Sequence, residues 1–373
     1  MVERLGLTPS LVRFAVLLFV LSRLTLIGLT IFTLIYTHTA PTPANFLRAW
    51  FRFDATMYAN IAHSGYSRAF LYRTAFFPLE PLLAWLASPL TGGDTAVSGI
   101  LVSNLAYLGA LLGLASLARL DQDDSAATRA MLLMTFYPLA FFTFAGYSES
   151  IFLVCVTWSL VAVRRQWWLA AYILGIFGGL SRQVGQLLIA PYALAQYKLA
   201  HGKLRNLRGS ALGVLGPPLG LALFGLVLWQ AVGDPLSWEH VEKLWGRSFA
   251  PLWVGAARTI NFMQHSADAV LVRRALIEMG LALLFVALIG LGARRLPLGE
   301  TLYCVAAWLV AVSFPDTSYG LVSLGRMLLP IVPCFLTLAL LTRRRWAFAL
   351  TLGVFLVCFL YLAQSFVRGH PII

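Results

Sequence analysis

The sequence predicts an all-α polytopic membrane protein, and three observations support this prediction. The chain of 373 residues is 60% apolar and 12% charged, with a mean hydropathy of +0.80, whereas soluble domains are about 45–50% apolar and about 25% charged. Apolar runs recur along the whole chain, and a helix needs roughly 20 apolar residues to cross about 30 Å of hydrocarbon. The sequence lacks the alternating segments that are typical of a transmembrane barrel.

Taken in order, the apolar runs predict a bundle of about eleven full spans and one re-entrant or half-spanning helix. The runs lie at about 11–37, 76–90, 96–118, 130–146, 149–163, 167–181, 183–197, 209–232, 271–292, 297–315, 327–341 and 346–367. The half-spanning segment is 76–90, because its three prolines and Glu80 interrupt a spanning helix. Twelve full spans are the alternative, which would place Arg164 and Arg165 outside, against the positive-inside rule.

The basic residues of the short loops predict the orientation. We assign to the cytoplasmic side Arg4, Arg13, Arg119, Arg129, Arg164, Arg165, Lys198, Lys203, Arg205, Arg208, Arg294, Arg295, Arg343, Arg344 and Arg345. The N-terminus is then cytoplasmic, and the longer polar loops 38–75 and 233–270 are extracytoplasmic parts of a single transmembrane domain, 1–373. Because topology accounts for most of the net charge of +13, we expect no nucleic-acid partner.

Neither the cysteines nor the histidines predict a metal site. All four cysteines fall inside apolar runs, which favours buried small hydrophobic side chains over disulfides or metal ligands; they are Cys155, Cys304, Cys334 and Cys358. His240 and His265 have no partners at metal-ligand spacing, and no phosphate-loop, serine-nucleophile or zinc motif occurs. We therefore expect no metal and no obligate cofactor.

The stretch FRFDATMYANIAHSGY, 51–66, is the most polar early segment. Residues 55–63 have helical spacing, and Gly65 is placed to end that helix. One stripe of the helix carries Met57, Tyr58, Ile61 and Ala62. Asp54 has two interpretations: an N-cap worth about 1 kcal/mol, or a carboxylate at the mouth of a membrane cavity that acts as a general base.

Two further segments place an aromatic–proline pair beside an acid. AFFPLEPLLAW contains Glu80, and TFYPLAFFTFAGYSESIF contains Tyr147 and Glu149. Proline removes a backbone donor and leaves carbonyl groups available to side chains or ligands. Glu149 is also suited to a helix start, where an acid interacts favourably with the dipole. Glu80 lies deeper in an apolar run, so we expect it to pair with Arg73 or an arginine of another span.

Arginines near the predicted outer face are candidates for phosphate binding. Arg182 in GGLSRQVGQ and Arg326 in SLGRMLLP favour a ligand role, since guanidinium groups suit bidentate phosphate recognition. Snorkelling to the interface is the alternative, and it suits Arg73 better. Arg23 lies midway along the first span, where an ion pair or a catalytic role is predicted. The tryptophans of 233–270 are typical of headgroup-level anchors, with an aromatic wall for a sugar or polyprenyl chain as the alternative.

Five motifs in one order resemble the GPI mannosyltransferase 2 (PIG-V-like) family of the GT-C superfamily of multi-span glycosyltransferases. FRFDATMYANIAHSGY resembles the family's W-D-x-x-x-Y-x-x-I-A-x-x-G-Y stretch, AFFPLEP its F-F-P-x-x-P, YSESIF its Y-S-E-S-x-F, LSRQVG its R-x-x-G and SLGRMLLPIVP its S-x-x-R-Y-x-x-x-x-F-P. Phe53 replaces the tryptophan before the acid, and Met327 replaces the tyrosine after the last arginine.

The resemblance implies an inverting transfer of a sugar, usually mannose, from a polyprenyl-phosphate carrier on the extracytoplasmic side of a membrane. We expect a prokaryotic relative of the family, in a bacterial or archaeal plasma membrane. The resemblance implies that Asp54 is the catalytic base. It also implies that the substrate and its phosphate are bound by Tyr147, Glu149, Arg182 and Arg326. Tyr58 and Glu80 are further candidates for this binding. The expected partners are membrane lipids, the lipid-linked donor, and a glycan, lipid or protein acceptor. A transporter or flippase of a lipid-linked substrate is the alternative.

Overall fold

A computed structural model describes residues 5–203, 206 and 209–370. Arg4, Arg205 and Arg208, which we assign to the cytoplasmic side, lie outside the described residues. Seventeen α-helices are described: α1 (Pro9–Tyr36), α2 (Pro43–Trp50), α3 (Asp54–Ser64), α4 (Leu79–Ala87), α5 (Thr95–Ala118), α6 (Asp124–Thr135), α7 (Glu149–Arg164), α8 (Trp168–Ser181), α9 (Ile189–Leu199), α10 (Gly216–Val232), α11 (Ser237–Leu244), α12 (Leu252–His265), α13 (Ala269–Gly292), α14 (Leu298–Ser313), α15 (Leu324–Leu328), α16 (Val332–Leu341) and α17 (Arg345–Val367).

Short 3₁₀ segments complete the described helical structure and join several of these helices. They are Arg68–Ala75, Ser88–Thr91, Ala140–Thr143, Gln183–Leu188 and Gly209–Leu215. The one β interaction among the described residues is an isolated bridge between Asp316 and Gly320. The all-α prediction is therefore confirmed.

Five helical segments are long and apolar enough to cross a membrane, which is consistent with a polytopic membrane protein. They are Pro9–Tyr36, Thr95–Ala118, Gly209–Val232, Ala269–Gly292 and Arg345–Val367. Shorter apolar helices are α8, α14 and α16. The nine residues of α4 rise about 14 Å, roughly half of the hydrocarbon thickness. The number of spans, the orientation and the re-entrant nature of 76–90 stay predictions.

Polar caps fix where several helices begin. Thr8 and Thr42 cap α1 and α2, each followed by proline in the first turn. Aspartates cap three further helices: Asp94 at α5, Asp123 at α6 and Asp268 at α13. Each side-chain oxygen accepts a backbone N–H that the first helical turn leaves without a partner.

The chain divides into two compact units. Unit 1 comprises Met1–Gly65, Pro78–Val161 and Phe335–Pro371, and unit 2 comprises Tyr66–Phe77 and Ala162–Cys334. The prediction that 1–373 form one transmembrane domain stays a prediction. Both predicted polar loops contain helices, α2 and α3 in 38–75 and α11 and α12 in 233–270.

Aromatic side chains form much of the core of unit 1. The ring of Trp50 lies 4.5 Å from that of Phe144 and 5.6 Å from that of Phe366. The Trp50 indole N–H also donates to the Thr30 hydroxyl at 3.0 Å. These contacts of Trp50 anchor the loop before α3 to α1 and α17. Elsewhere in the unit, Arg129 Nε donates to the carbonyl of Ala339 at 3.0 Å, which joins α6 to α16.

Unit 2 combines an aromatic cluster with close helix packing. Phe77, Phe224 and Trp238 lie in one buried cluster. Trp238 is therefore a core residue in place of the predicted interface anchor, whereas Trp245 and Trp253 are exposed. Between α8 and α10 the packing depends on glycines, as is common where membrane helices approach closely. Cys304 and Cys334 of this unit are buried, as is Cys155, and Cys358 is half-buried.

Candidate active site

Asp54 lies at a strained turn in unit 1. The preceding residue, Phe53, has φ +51° and ψ −121°, a conformation that is rare for a bulky side chain and that concentrates at functional sites. Helix α3 begins at Asp54, and its N-cap residue is Phe53. The N-cap interpretation of Asp54 is therefore wrong, because the carboxylate occupies the first helical position, where it still interacts favourably with the helix dipole.

The predicted stripe of α3 faces the interior of unit 1. Tyr58, Ile61 and Ala62 are buried, whereas Met57, the fourth member of the stripe, is only half-buried. The helix ends at Gly65 with φ +70°, as the sequence predicts. The Tyr58 hydroxyl and the Ser148 hydroxyl are 2.8 Å apart. Tyr58, one turn after Asp54, therefore attaches α3 to the Y-S-E-S segment.

The Y-S-E-S segment makes a second contact with the start of α3. The Tyr147 hydroxyl donates to the carbonyl of Arg52 at 3.1 Å, two residues before Asp54. The Tyr147 carbonyl in turn accepts a hydrogen bond of 2.7 Å from Ser103 of α5. Two motifs that are about 90 residues apart in sequence are thus held together by side-chain hydrogen bonds.

Arg23 of α1 holds the segment that leads into the Y-S-E-S motif. Its guanidinium donates to Asn104 Oδ1 at 2.8 Å and to the carbonyl of Thr143 at 3.1 Å, and it lies over the Tyr107 ring, 4.5 Å from the centroid. The same Thr143 carbonyl accepts from the Ser150 hydroxyl. Within the described residues its contacts are with neutral groups, so the predicted ion pair of Arg23 is wrong, and its contacts assign it a positioning role.

Two carboxylic acids are buried side by side in unit 1. Glu80 on α4 and Glu149 at the start of α7 are 1% and 0% exposed, and each lies within electrostatic range of the other. The Glu80 carboxyl lies against Gly99, where an added Cβ would come within 2.9 Å of Oε1. Burying two carboxylic acids near each other lowers the stability of the fold. Acids that are buried in a membrane protein despite this loss are candidates for function.

The arginine partner that we expect for Glu80 is not found. In the described part of unit 1, Glu80 forms no ion pair with an arginine, and its Oε2 has no hydrogen-bond partner. Arg73, one of the two partners predicted, belongs to unit 2 and lies over the Phe70 ring, 4.2 Å from the centroid. Because Arg73 is 8% exposed, the snorkelling interpretation of this residue is also wrong.

Arg182 in unit 2 lies where α8 gives way to a 3₁₀ segment. Its backbone is extended, with φ −155° and ψ 150°, so the helical conformation of α8 ends at this residue. Gly185 packs on the backbone of Gly178, and an added Cβ would lie 2.1 Å from the Gly178 carbonyl oxygen. The glycine of the R-x-x-G motif is thus required by the turn that presents Arg182.

Arg182 also lies within electrostatic range of Tyr303 on α14. The Tyr303 hydroxyl donates to the carbonyl of Pro330 at 3.0 Å. Pro330 follows α15, the short helix that contains Arg326. The elements that carry the two predicted phosphate-binding arginines are therefore linked through Tyr303.

Arg326 follows a second strained turn. Ser323, which precedes α15, is left-handed with φ +54°, and the N–H of Gly325 donates to Glu278 Oε2 at 2.5 Å. Glu278 lies within electrostatic range of Arg326. A buried acid thus fixes the backbone beside the arginine.

Glu278 and Arg274 are candidate residues that sequence reasoning missed. Both are 2% exposed and lie four residues apart, on one face of α13. The available signal was their position, since each is a charged residue inside the apolar run 271–292, and such residues are candidates for function.

Five of the predicted site residues lie in unit 1 and two lie in unit 2, and their shared role in one site stays a prediction. The first group is Asp54, Tyr58, Glu80, Tyr147 and Glu149, and the second is Arg182 and Arg326. No group of three or more metal-ligating side chains occurs in the part of the chain that the structure describes. Metal independence stays a prediction.

No protein-family model matches the chain, and no curated protein is significantly similar to it.

Proposed function

We propose that the protein is an integral-membrane glycosyltransferase that moves a sugar, with mannose as the first candidate, from a polyprenyl-phosphate carrier to an extracytoplasmic acceptor. The observation that carries the proposal is the attachment of the Asp54 turn to the buried Y-S-E-S segment by two hydrogen bonds, Tyr147 to Arg52 and Tyr58 to Ser148. A half-buried carboxylate on a strained turn suits general-base chemistry.

The proposed reaction is a direct displacement at the anomeric carbon. Asp54 accepts the proton of the acceptor hydroxyl, whose oxygen forms the new glycosidic bond. The bond between the anomeric carbon and the phosphate oxygen breaks, and polyprenyl phosphate leaves with the electron pair, so the configuration inverts. We assign Arg182 and Arg326 to the phosphate, where fixed positive charge stabilises the developing negative charge.

The remaining predicted residues have supporting roles in the proposal. Tyr58 and Tyr147 hold the Asp54 turn through their hydroxyl groups. Glu80 and Glu149 are assigned to hydrogen bonding of the sugar hydroxyls, since paired carboxyl oxygens are strong acceptors. Membrane lipids surround the protein, and the acceptor is a glycan, a lipid or a protein.

The test compares wild type with Asp54→Asn in proteoliposomes that contain labelled polyprenyl-phosphate mannose and a membrane extract. Loss of a general base lowers the rate by about 10²–10⁴-fold. Asp123→Asn is the matched control, because it removes one acid from unit 1 and asparagine can still cap α6. Undiminished sugar transfer by Asp54→Asn would remove Asp54 from this role.

One observation favours the second candidate, a transporter or flippase. The buried Glu80–Glu149 pair is the kind of intramembrane acid pair that transporters use for proton coupling. Translocation of labelled carrier lipid without sugar transfer, abolished by Glu80→Gln or Glu149→Gln and unaffected by Asp54→Asn, would support this candidate over the glycosyltransferase.

A further inference from the structure

A groove of about 380 Å³ opens on unit 1, on the side of α3 away from the candidate active site. The exposed Asn60 and His63 line it together with the buried Ala59, whereas Tyr58, Ile61 and Ala62 belong to the buried stripe. At 100° per residue, Asn60 and His63 lie on the face of the helix opposite this stripe. The groove is therefore separate from the Asp54 and Y-S-E-S contacts.

The floor of the groove is apolar and its rim is charged. Leu47, Phe51, Val97 and Ile100 supply apolar surface, and Arg48, Asn60, His63 and Asp94 supply polar groups. A small-molecule site commonly has this combination of apolar lining and a few placed polar groups, with volumes of about 300–1,000 Å³.

The two opposite charges of the groove do not neutralise each other. Arg48 and Asp94 form no ion pair within the described residues, although both line the same groove. One carboxylate oxygen of Asp94, Oδ1, accepts the N–H groups of Ala96 and Val97 at 2.8 and 3.1 Å, which leaves Oδ2 for a ligand. A ligand that carries both charges would satisfy Arg48 and Asp94 together.

The groove lies at the end of a helix that is long enough to cross a membrane. Thr95, Ala96, Val97 and Ile100 belong to the first two turns of α5. The end of a spanning helix lies at headgroup depth, where apolar and polar surface meet. A lipid can place its chains along the apolar floor and its headgroup between the charges.

We propose that this groove binds the headgroup of a zwitterionic phospholipid with a primary ammonium group. Arg48 binds the phosphodiester, with Asn60 and His63 as further donors, and Asp94 binds the ammonium group. The inference is independent of the proposed transfer reaction, because none of these residues belongs to the candidate active site.

The test measures lipid binding to the delipidated full-length protein by native mass spectrometry, with short-chain phosphatidylethanolamine, phosphatidylcholine and phosphatidylglycerol. Phosphatidylethanolamine should bind most tightly. Arg48→Gln should weaken its binding at least tenfold, while Arg13→Gln, the loss of an exposed arginine on α1, should leave it unchanged. Asp94→Asn retains the cap of α5 and should remove the preference over phosphatidylglycerol.

Three outcomes would overturn the proposal. Equal binding of the three lipids by wild type would show that the ammonium group is not recognised. Equal losses in Arg48→Gln and Arg13→Gln would indicate a general charge effect. Free phosphoethanolamine that competes as well as the lipid would assign the groove to a soluble phosphate compound. A thermal melt of each variant without lipid verifies folding, and Arg48→Lys, which keeps the charge, should restore most of the binding.

Discussion

The two units hold their candidate residues in different ways. In unit 1, side chains position the backbone. Tyr58 contacts the Y-S-E-S segment, Tyr147 contacts the turn before Asp54, and Arg23 contacts Thr143 in the segment that leads into the Y-S-E-S motif. In unit 2, the backbone positions the arginines, since Arg182 follows a helix break and Arg326 follows a left-handed serine. Loss of polar side-chain atoms should therefore perturb unit 1, and added volume at glycines should perturb unit 2.

The largest effect is expected for Gly185→Ala in unit 2. An added Cβ would lie 2.1 Å from the carbonyl oxygen and 2.4 Å from the carbonyl carbon of Gly178, and a backbone cannot move aside cheaply. Overpacking typically costs about 1–3 kcal/mol and occasionally more, and we expect at least the upper end of this range. The measurement is the unfolding free energy in detergent, together with proteolysis of unit 2.

Gly280→Ala is the matched control for this substitution. Gly280 lies on α13, and an added Cβ would meet nothing within 4 Å. Because alanine favours helices over glycine by up to about 1 kcal/mol, this variant should be as stable as wild type or more stable. Similar stability losses for the two variants would contradict the close packing of Gly185 on Gly178.

The second largest effect is expected for Arg23→Met in unit 1. The substitution leaves Asn104 Oδ1 and the Thr143 carbonyl without the donor that they now have. Leaving buried polar groups unsatisfied costs about 1–3 kcal/mol, so we expect an unfolding free energy lower by about 2–3 kcal/mol. Activity should also fall, because Thr143 lies four residues before Tyr147.

Arg13→Met tests whether this loss is specific to the buried position. Arg13 lies on the same helix, is exposed, and donates to the carbonyl of Pro9 on its own turn. Its substitution should change stability by less than about 0.5 kcal/mol, as is usual for surface positions. A comparable loss of stability in both variants would show that Arg23 stabilises helix α1 itself and that its contacts with Asn104 and Thr143 add nothing.

The sequence predicts local features of this fold well. Periodicity and the position of Gly65 predict α3 to within a residue at each end, because an apolar stripe and a glycine stop act within one helix. The long apolar helices follow from composition for the same reason.

Long-range contacts explain what the sequence does not predict. The partners of Arg23 lie 81 and 120 residues away, and Glu278 accepts from a backbone group 47 residues away. A charged residue in an apolar run predicts that it has a polar partner. It does not predict which partner, because neutral amides, carbonyls and aromatic rings can contact an arginine as a carboxylate does. The positive φ of Phe53 likewise depends on contacts outside its own segment.

A smaller effect is expected for Tyr58→Phe, which removes one hydroxyl from unit 1. The 2.8 Å contact with Ser148 would be lost, and a typical hydrogen bond contributes about 0.5–1.5 kcal/mol. We expect an unfolding free energy lower by about 1 kcal/mol. Tyr36→Phe is the control, because the Tyr36 side chain is exposed and its hydroxyl makes no hydrogen bond within the described residues. Its unfolding free energy should be unchanged. An equal loss in the two variants would show that the Tyr58–Ser148 hydrogen bond does not stabilise unit 1.

The smallest effect is expected for the exposed pair Asp234–His240 of unit 2, whose side chains are 2.8 Å apart. The N–H of Leu236, and then His240, hold the pKa of Asp234 below its usual value. A lowered folded-state pKa stabilises the protein above the unfolded pKa of about 3.9, and this contribution is lost as the pH falls through the folded-state pKa. At neutral pH, Asp234→Asn should therefore cost only a few tenths of a kcal/mol, since exposed pairs contribute little. The measurement is the unfolding free energy of wild type and Asp234→Asn from neutral to acidic pH. The difference between the two proteins should vanish at the acid end. A difference that persists there would mean that the Asp234 charge is not its source.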